Sequence, residues 1–418
     1  MNKFLRNAFF VLLITLFFTS CGEQDEKRIV IWTNCSEFAQ YVELFNNTHP
    51  DKNAIVVYKQ NPAEHLPPAQ DEAVPDLIVS SWLRNDETTK YFKPVNYLFD
   101  RKNLSSEIFY PQLLQSGKIK NKQFLLPVSF NLPAIIFSTE NKDLVSENYT
   151  LTLEQIRTIA SQFNQKNKKG AFTKIGFTPL TNDDFLYLAT KLYNVDFREE
   201  RGQIIWNHAN LQDSLKFLKD WTFTENDSPK IEEDFAYKYL FMQDYKLIDS
   251  DRTLFAHITS DRLFSILKNQ DLQIDYRWIC NENSIPMEDS FTMMGIYKKS
   301  KNQVGATEFI TWFFDIKSQT KMVSRKSQLN LNTELFGIAG GFSSVKQVTE
   351  LILPRYYTPL LQNIPVAQMI EVPQNLPPRW ESYKSVVIQP YIKESIKNEE
   401  YNLSINDLEK EWLKKVFE

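Results

Sequence analysis

Three short apolar runs near the start of the chain constrain it most: Ile29–Trp32 (IVIW), Ala54–Lys59 (AIVVYK) and Asp76–Val79 (DLIV). Each is bounded by charged or turn-forming residues and reads as a buried strand. Between the first two, Ser36–Asn47 places Phe38, Tyr41, Val42, Leu44 and Phe45 at spacings of three and four. That is an amphipathic helix, with Ser36 as the candidate N-cap. Strand, helix, strand and a further strand predict an α/β fold built on a largely parallel sheet.

Phe124–Pro127 and Ala134–Phe137 read as two more short strands around VSFNLP. The pattern then turns helical. Leu151–Asn164 has Thr152 at the N-cap and Gln155 as its capping-box partner. Lys174–Phe177 reads as a strand, Asp183–Tyr193 as a helix, and helices dominate from Asn210 to Phe241. FTMMGIY, from Phe291, is a strand again. It precedes a helix with Val304, Phe309, Trp312 and Phe313 along one side. Leu335–Gly341 (LFGIAGG) leads into a helix from Val345, and Ile405–Phe417 is a last amphipathic helix. The chain has no internal repeat, low-complexity block or Gly/Ser linker. Its 10 glycines and 19 prolines are dispersed, so ordered crossings should tie the two regions together.

The first residues carry an address. Lys3 and Arg6 precede the apolar run Ala8–Phe18, broken only by Thr15, and the small Thr19 and Ser20 lead to Cys21. This is the layout of a secretory signal peptide, shorter than the roughly 20 apolar residues of a membrane span. Thr19-Ser20-Cys21-Gly22 resembles the lipobox of bacterial lipoproteins, with Phe18 standing where that pattern commonly has Leu. The resemblance implies cleavage before Cys21 and acylation of Cys21 with fatty chains such as palmitate. One acyl chain holds a membrane weakly, whereas the three of that family suffice. The expected layout is a signal peptide over 1–20 and a lipidated, charged tether over 21–28. The body would then sit in the periplasm or extracellular space, anchored to the cell membrane. Of the other two cysteines, neither Cys35 nor Cys280 belongs to a CxxC pair. In an exported chain they either form a disulfide, worth about 5 kcal/mol for so long a loop, or remain two buried thiols.

Several function classes find no support. A formal net charge of −4 argues against a general nucleic-acid binder. The four histidines, His49, His65, His208 and His257, form neither HExxH nor HxH, so no metal site is expected. No nucleophile elbow, Walker motif or dinucleotide fingerprint is present, and neither a cofactor nor an enzymatic activity is expected. The acidic runs Asp183-Asp184 and Glu232-Glu233-Asp234 read as a helix cap and a solvated helix start. A hydrolase would need two such carboxylates facing each other across a cleft. Aromatic residues are more informative. Trp32, Trp82, Phe130, Trp278 and Phe342 fall at or just beyond the carboxyl ends of expected strands, where open α/β sheets bind ligands. A ring face stacks on a sugar, and Asn and Asp side chains take its hydroxyls. Core packing competes for each of them, and position raises Trp32, Trp82 and Phe130 above that background. Tyr187, Trp206, Tyr276 and Trp380 have no clear place.

Taken in order, IVIWTN, a helix ending FNNTHPD, AIVVYK and PDLIVSSW resemble the opening of bacterial extracellular solute-binding proteins of the maltose-binding type. YFKPVNYLF, the stretch from Tyr110 to Asn141 and MMGIYKKSKNQVGATEFITWFF continue the likeness to about Ser344. The resemblance implies a two-lobe periplasmic-binding-protein fold with a hinge and an interlobe ligand cleft. Lobe 1 would comprise 29–137 plus about 290–335, and lobe 2 would comprise 138–289 plus about 336–418. It implies a monomer that captures a small polar ligand, a sugar or oligosaccharide, for the permease subunits of an ABC importer. It places Trp32, Asn34, Glu37, Ser80, Ser81, Trp82, Phe130, Asn131, Asp183 and Phe342 at the cleft, and Trp278 joins them by its strand-end position. The alternative is a surface lipoprotein of the same fold, acting as an adhesin, sensor or scaffold without transport.

Overall fold

The computed structural model describes residues 28–101, 103–268, 271–329, 335–398 and 400–417. The signal peptide, Cys21 and the tether up to Lys27 lie outside them. Among the described residues no helix is long and apolar enough to cross a membrane.

Two sheets organise the chain. The first contains β1 (Arg28–Thr33), β2 (Asn53–Tyr58), β3 (Leu77–Ser80), β4 (Leu126–Phe130), β10 (Thr292–Ile296) and β11 (Phe342–Ser343), in the order β11-β4-β10-β3-β1-β2. β1 pairs in parallel with both β2 and β3, as alternating strand and helix require, with Trp32 opposite Val57 and Ile78. β10 and β11 add antiparallel pairings to the edge that includes β4. The second sheet contains β5 (Pro133–Ser138), β6 (Thr150–Thr152), β7 (Ala256–Thr259) and β8 (Ile274–Cys280), in the order β7-β5-β8-β6. The reading of the sequence kept the chain in the first lobe to Phe137. β5 is instead hydrogen-bonded into the second sheet from Pro133, so the chain changes sheet at Asn131-Leu132. A run buried on both faces, as β4 and β5 are, carries no mark of which sheet it joins.

Helix ends follow local chemistry unevenly. α2 (Leu153–Phe163) begins with the full capping box expected of Thr152 and Gln155. α1 (Phe38–Thr48) starts two residues later than expected. Glu37 occupies its N-cap position without a side-chain cap, and Ser36 takes no capping role. α3 (Asp183–Leu192) is capped by Asn182, whose Oδ1 accepts from Phe185 N at 2.9 Å, so Asp183 is the first helical residue and not the cap. The expected solvated helix start at Glu232 is also corrected. Within α5 (Pro229–Lys238), which follows α4 (His208–Asp220), Glu232 is fully buried and accepts from Leu180 N and Asn226 Nδ2.

The core divides along the second sheet. One face, with Ile136, Tyr276 and Trp278, packs into an apolar cluster continuous with the first sheet. The other face, with Ile135, Phe137 and Ile279, packs on α2–α4 and on the C-terminal helices. Those include the segment 380–397 and a last helix, Ile405–Phe417, at the expected bounds. Three passages join the two sheets' regions. The first is Asn131-Leu132, between β4 and β5. The second is 281–291, between β8 and β10, with β9 (Ile285–Pro286) inside it. The third leaves β12 (Ile370–Glu371) and runs to Trp380. β9 and β12 pair in parallel, which hydrogen-bonds the second passage to the third.

Candidate functional site

Most residues expected at a cleft are sealed into the core. Trp32 has no exposed surface, and the Lys59 ammonium lies 4.6 Å from its ring centroid. Phe130, Phe342 and Trp278 do come together, but as buried packing. Their successive centroids are 5.5 and 5.8 Å apart, and Trp278 Nε1 donates to Asn363 O at 2.8 Å. The close approach is enforced at Gly341, where a Cβ would sit 2.6 Å from Phe130 O. Ser80 and Ser81 are buried. Glu37 is buried in an ion pair with Lys326, whose ammonium also donates to Gly337 O at 2.8 Å. Asn131 is half-buried and ties the first passage. It donates to Gly340 O at 3.0 Å and accepts from Ser260 Oγ at 2.6 Å. Asp183 is spent on a surface pair with Lys393. Asn34 is half-buried. Cys35 and Cys280 are both free thiols, so they are not bridged. Of the tryptophans expected at the cleft, Trp82 lines a cavity. Its backbone is left-handed at φ 62°, which turns the chain just beyond β3.

A different cluster sits where the passages meet. Asp289, in the second passage, is 7% exposed. It accepts from Tyr187 Oη at 2.6 Å, Lys191 Nζ at 2.7 Å and Trp380 Nε1 at 3.0 Å. Tyr187 and Lys191 come from α3, and Trp380 ends the third passage. Burial alone would push the Asp289 carboxyl up. The charges of Lys191 and Lys384, with the bonds from Lys191 and Tyr187, outweigh it and hold the group below the usual range. Its neighbour Glu288 has no such set of donors. Burial raises it to about 7 against the opposing charge of Lys191, and Asp289 adds to the rise. From the first lobe, Arg84 donates to the backbone carbonyls of Pro373 and Gln374. Buried there, it is lowered to about 10, with the charge of Asp289 opposing.

The third passage lines three cavities. Beside Asp289 are two small spaces of about 30 and 10 Å³, room for water and not for a sugar ring. Farther along, Pro377, Pro378 and Arg379 border a groove of about 620 Å³, within the range of ligand sites. Its first-lobe wall includes Glu64, Glu87, Lys90 and Tyr91. Its second-lobe wall includes Glu199, Tyr383, Glu409 and Trp412. Arg379 reaches across to Glu64 at 3.5 Å. Among the described residues no group of His, Cys, Asp or Glu could hold a metal ion.

The fold recurs in solved structures. The chain superposes on the sugar-binding protein MalE from Xanthomonas citri with a TM-score of 0.67 at 10% identity, covering 93% of this chain and 96% of that one. A cyclo/maltodextrin-binding protein complexed with maltotetraose gives a TM-score of 0.63 at 16% identity, covering 93% and 97%. The fold is that of the two-lobe solute-binding proteins. A third example is an ABC substrate-binding protein from Listeria monocytogenes in complex with cycloalternan, with a TM-score of 0.60 at 13% identity, covering 93% and 99%. No family model matches the sequence, and no curated relative matches it. Within this solute-binding fold, the sequence had flagged Trp380 and Tyr187 without placing them. Arg84, Asp289, Tyr383 and Trp412 carried no local mark. Each acquires its place from partners far along the chain, 91 residues away for the bond between Asp289 and Trp380.

Proposed function

We propose that this chain is a lipid-anchored solute-binding protein that captures a small polar ligand, a sugar or oligosaccharide, and passes it to the permease subunits of an ABC importer. The observation that carries the reading is the groove walled by both lobes and bordered by the third passage, with Tyr91, Tyr383 and Trp412 along it. Ring faces and carboxylates side by side suit a sugar's apolar face and its hydroxyls. Lobes joined by such passages close about a hinge. Anchoring rests on Cys21 and its lipobox-like surroundings. The site moves from the strand ends, where the sequence put it, to the passage. The spaces beside Asp289 have room for water and not for a sugar ring, which favours the second reading, a surface lipoprotein that no longer transports. Thermal unfolding of the full chain in detergent, with mono- and oligosaccharides at millimolar concentration, separates the two. A ligand that binds only the folded state raises its melting temperature. No shift with any saccharide sinks the transport reading. Radioactive fatty acid should label the wild type and not Cys21→Ala.

A further inference from the structure

The groove has a charge preference that a site for neutral sugars would not need. Its walls carry four carboxylates, Glu64, Glu87, Glu199 and Glu409, against two cations, Lys90 and Arg379. Arg379 pairs with Glu64, and four carboxylates against two cations leave the lining net negative. Glu87 belongs to the first lobe and Glu199 to the second. They are near enough for Glu87 and Asp86, after burial, to push the Glu199 carboxyl up. Like charges thus meet across the gap that closure narrows, and closure brings a cost that a cation between them removes. Among the described residues no three of these carboxylates form a group that could hold a metal ion.

A second observation points to a ligand independently. Tyr383 lines the groove, is 2% exposed, and its hydroxyl has no hydrogen-bond partner among the described residues. A buried hydroxyl left unmade costs about 1–3 kcal/mol, which a ligand group reaching Tyr383 would recover. Beside it, the Trp412 ring stands edge-on to Tyr383 at 5.4 Å. An aromatic wall of this kind takes a sugar face or a cation.

We propose that the groove takes a saccharide bearing protonated amines, with an amine held between Glu199 and Glu87 and a hydroxyl or amine of the ligand meeting Tyr383. This rests on the reading of the groove as a saccharide site and names the class of saccharide. The test is titration calorimetry on the full chain in detergent with three tetramers: of glucosamine, of N-acetylglucosamine and of maltose. The glucosamine tetramer should bind at least tenfold more tightly than either neutral one. Its affinity should fall as salt rises from 20 to about 300 mM, because screening weakens exposed charge pairs. Glu199→Gln combined with Glu87→Gln should weaken the amine tetramer about tenfold, a larger loss than for either neutral tetramer. The free double variant should melt no lower than wild type, since a repulsion is removed. Equal or tighter binding of a neutral tetramer overturns the charge preference and leaves the saccharide site standing. Silence from all three tetramers overturns both. Tighter amine binding that survives the double substitution overturns the placement at Glu199 and Glu87.

Discussion

At the carboxyl ends of the first sheet, Trp32, Phe130 and Phe342 are sealed under other elements and expose almost nothing. Beside the third passage, Trp412 is half-buried and borders open space, with the buried Tyr383 behind it at the groove's edge. The residue types are alike, and what differs is the cover. The ends of β1 and β4 are roofed by parts of the chain that return from far away, such as the loop at Gly337–Gly341, pinned by Lys326, Tyr41 and Tyr357. The third passage has no such roof. A strand-end aromatic therefore reports a ligand site only when nothing later in the chain comes back to cover it. The same contrast holds for carboxylates. Asp289 meets two neutral donors and a cation and stays ionised, whereas Glu232 meets only neutral donors and is pushed up to about 7, chiefly by burial.

Substitution at Trp32 should break the contrast if it is wrong. Trp32→Ala removes a fully buried ring and should cost about 3–5 kcal/mol, read as a large fall in the denaturant midpoint. A midpoint close to wild type would mean the strand end is not sealed. Asp289→Ala should come next, at about 3 kcal/mol, because it strands the Lys191 ammonium in a buried site. The same measurement checks it. Glu232 sharpens the carboxylate half. Its folded pKa, about 7, lies above its unfolded value near 4.5. The folded state then holds a proton that the unfolded chain has released between those values. Stability from this group is full below about pH 4.5 and is lost as pH rises to 7. Glu232→Gln should flatten that fall, and urea midpoints at pH 5 and pH 8 should then draw closer than in wild type. The smallest stability effect is expected at Trp412→Ala, about 1 kcal/mol. Its consequence lies elsewhere: the saccharide-induced rise in melting temperature should shrink or vanish, while the folded fraction of Trp32→Ala should keep it.

Local order was legible in the sequence. The first three strands, the capping box at Thr152 and Gln155 and the last helix at Ile405–Phe417 all follow from patterns within a dozen or so residues. What the sequence could not carry is contact order. Nothing near Arg84 announces the carbonyls of Pro373 and Gln374, and nothing near Trp32 announces that it will be covered. Aromatic rings at strand ends were therefore assigned to a ligand, while the proposed groove is lined by a proline-rich stretch, by Glu199, Gly202 and Ile204 and by the final helix. Cys35 and Cys280 show the same limit. Their residue types allow a bridge, and the fold leaves both thiols free.

The hold of Arg84 on the third passage has a consequence for how this chain can drift. Both acceptors are main-chain oxygens, so the clasp does not depend on which side chains stand at 373 and 374. Those positions are free to vary, and to reshape the small space beside them, without loosening the join between the lobes. The burden falls on one side only. Both bonds leave one nitrogen, Nη2, at the end of the planar guanidinium, and a lysine at 84, one bond shorter and on a flexible stem, would bring its ammonium less far toward the two oxygens. The clasp tolerates change in what is held and little in what does the holding.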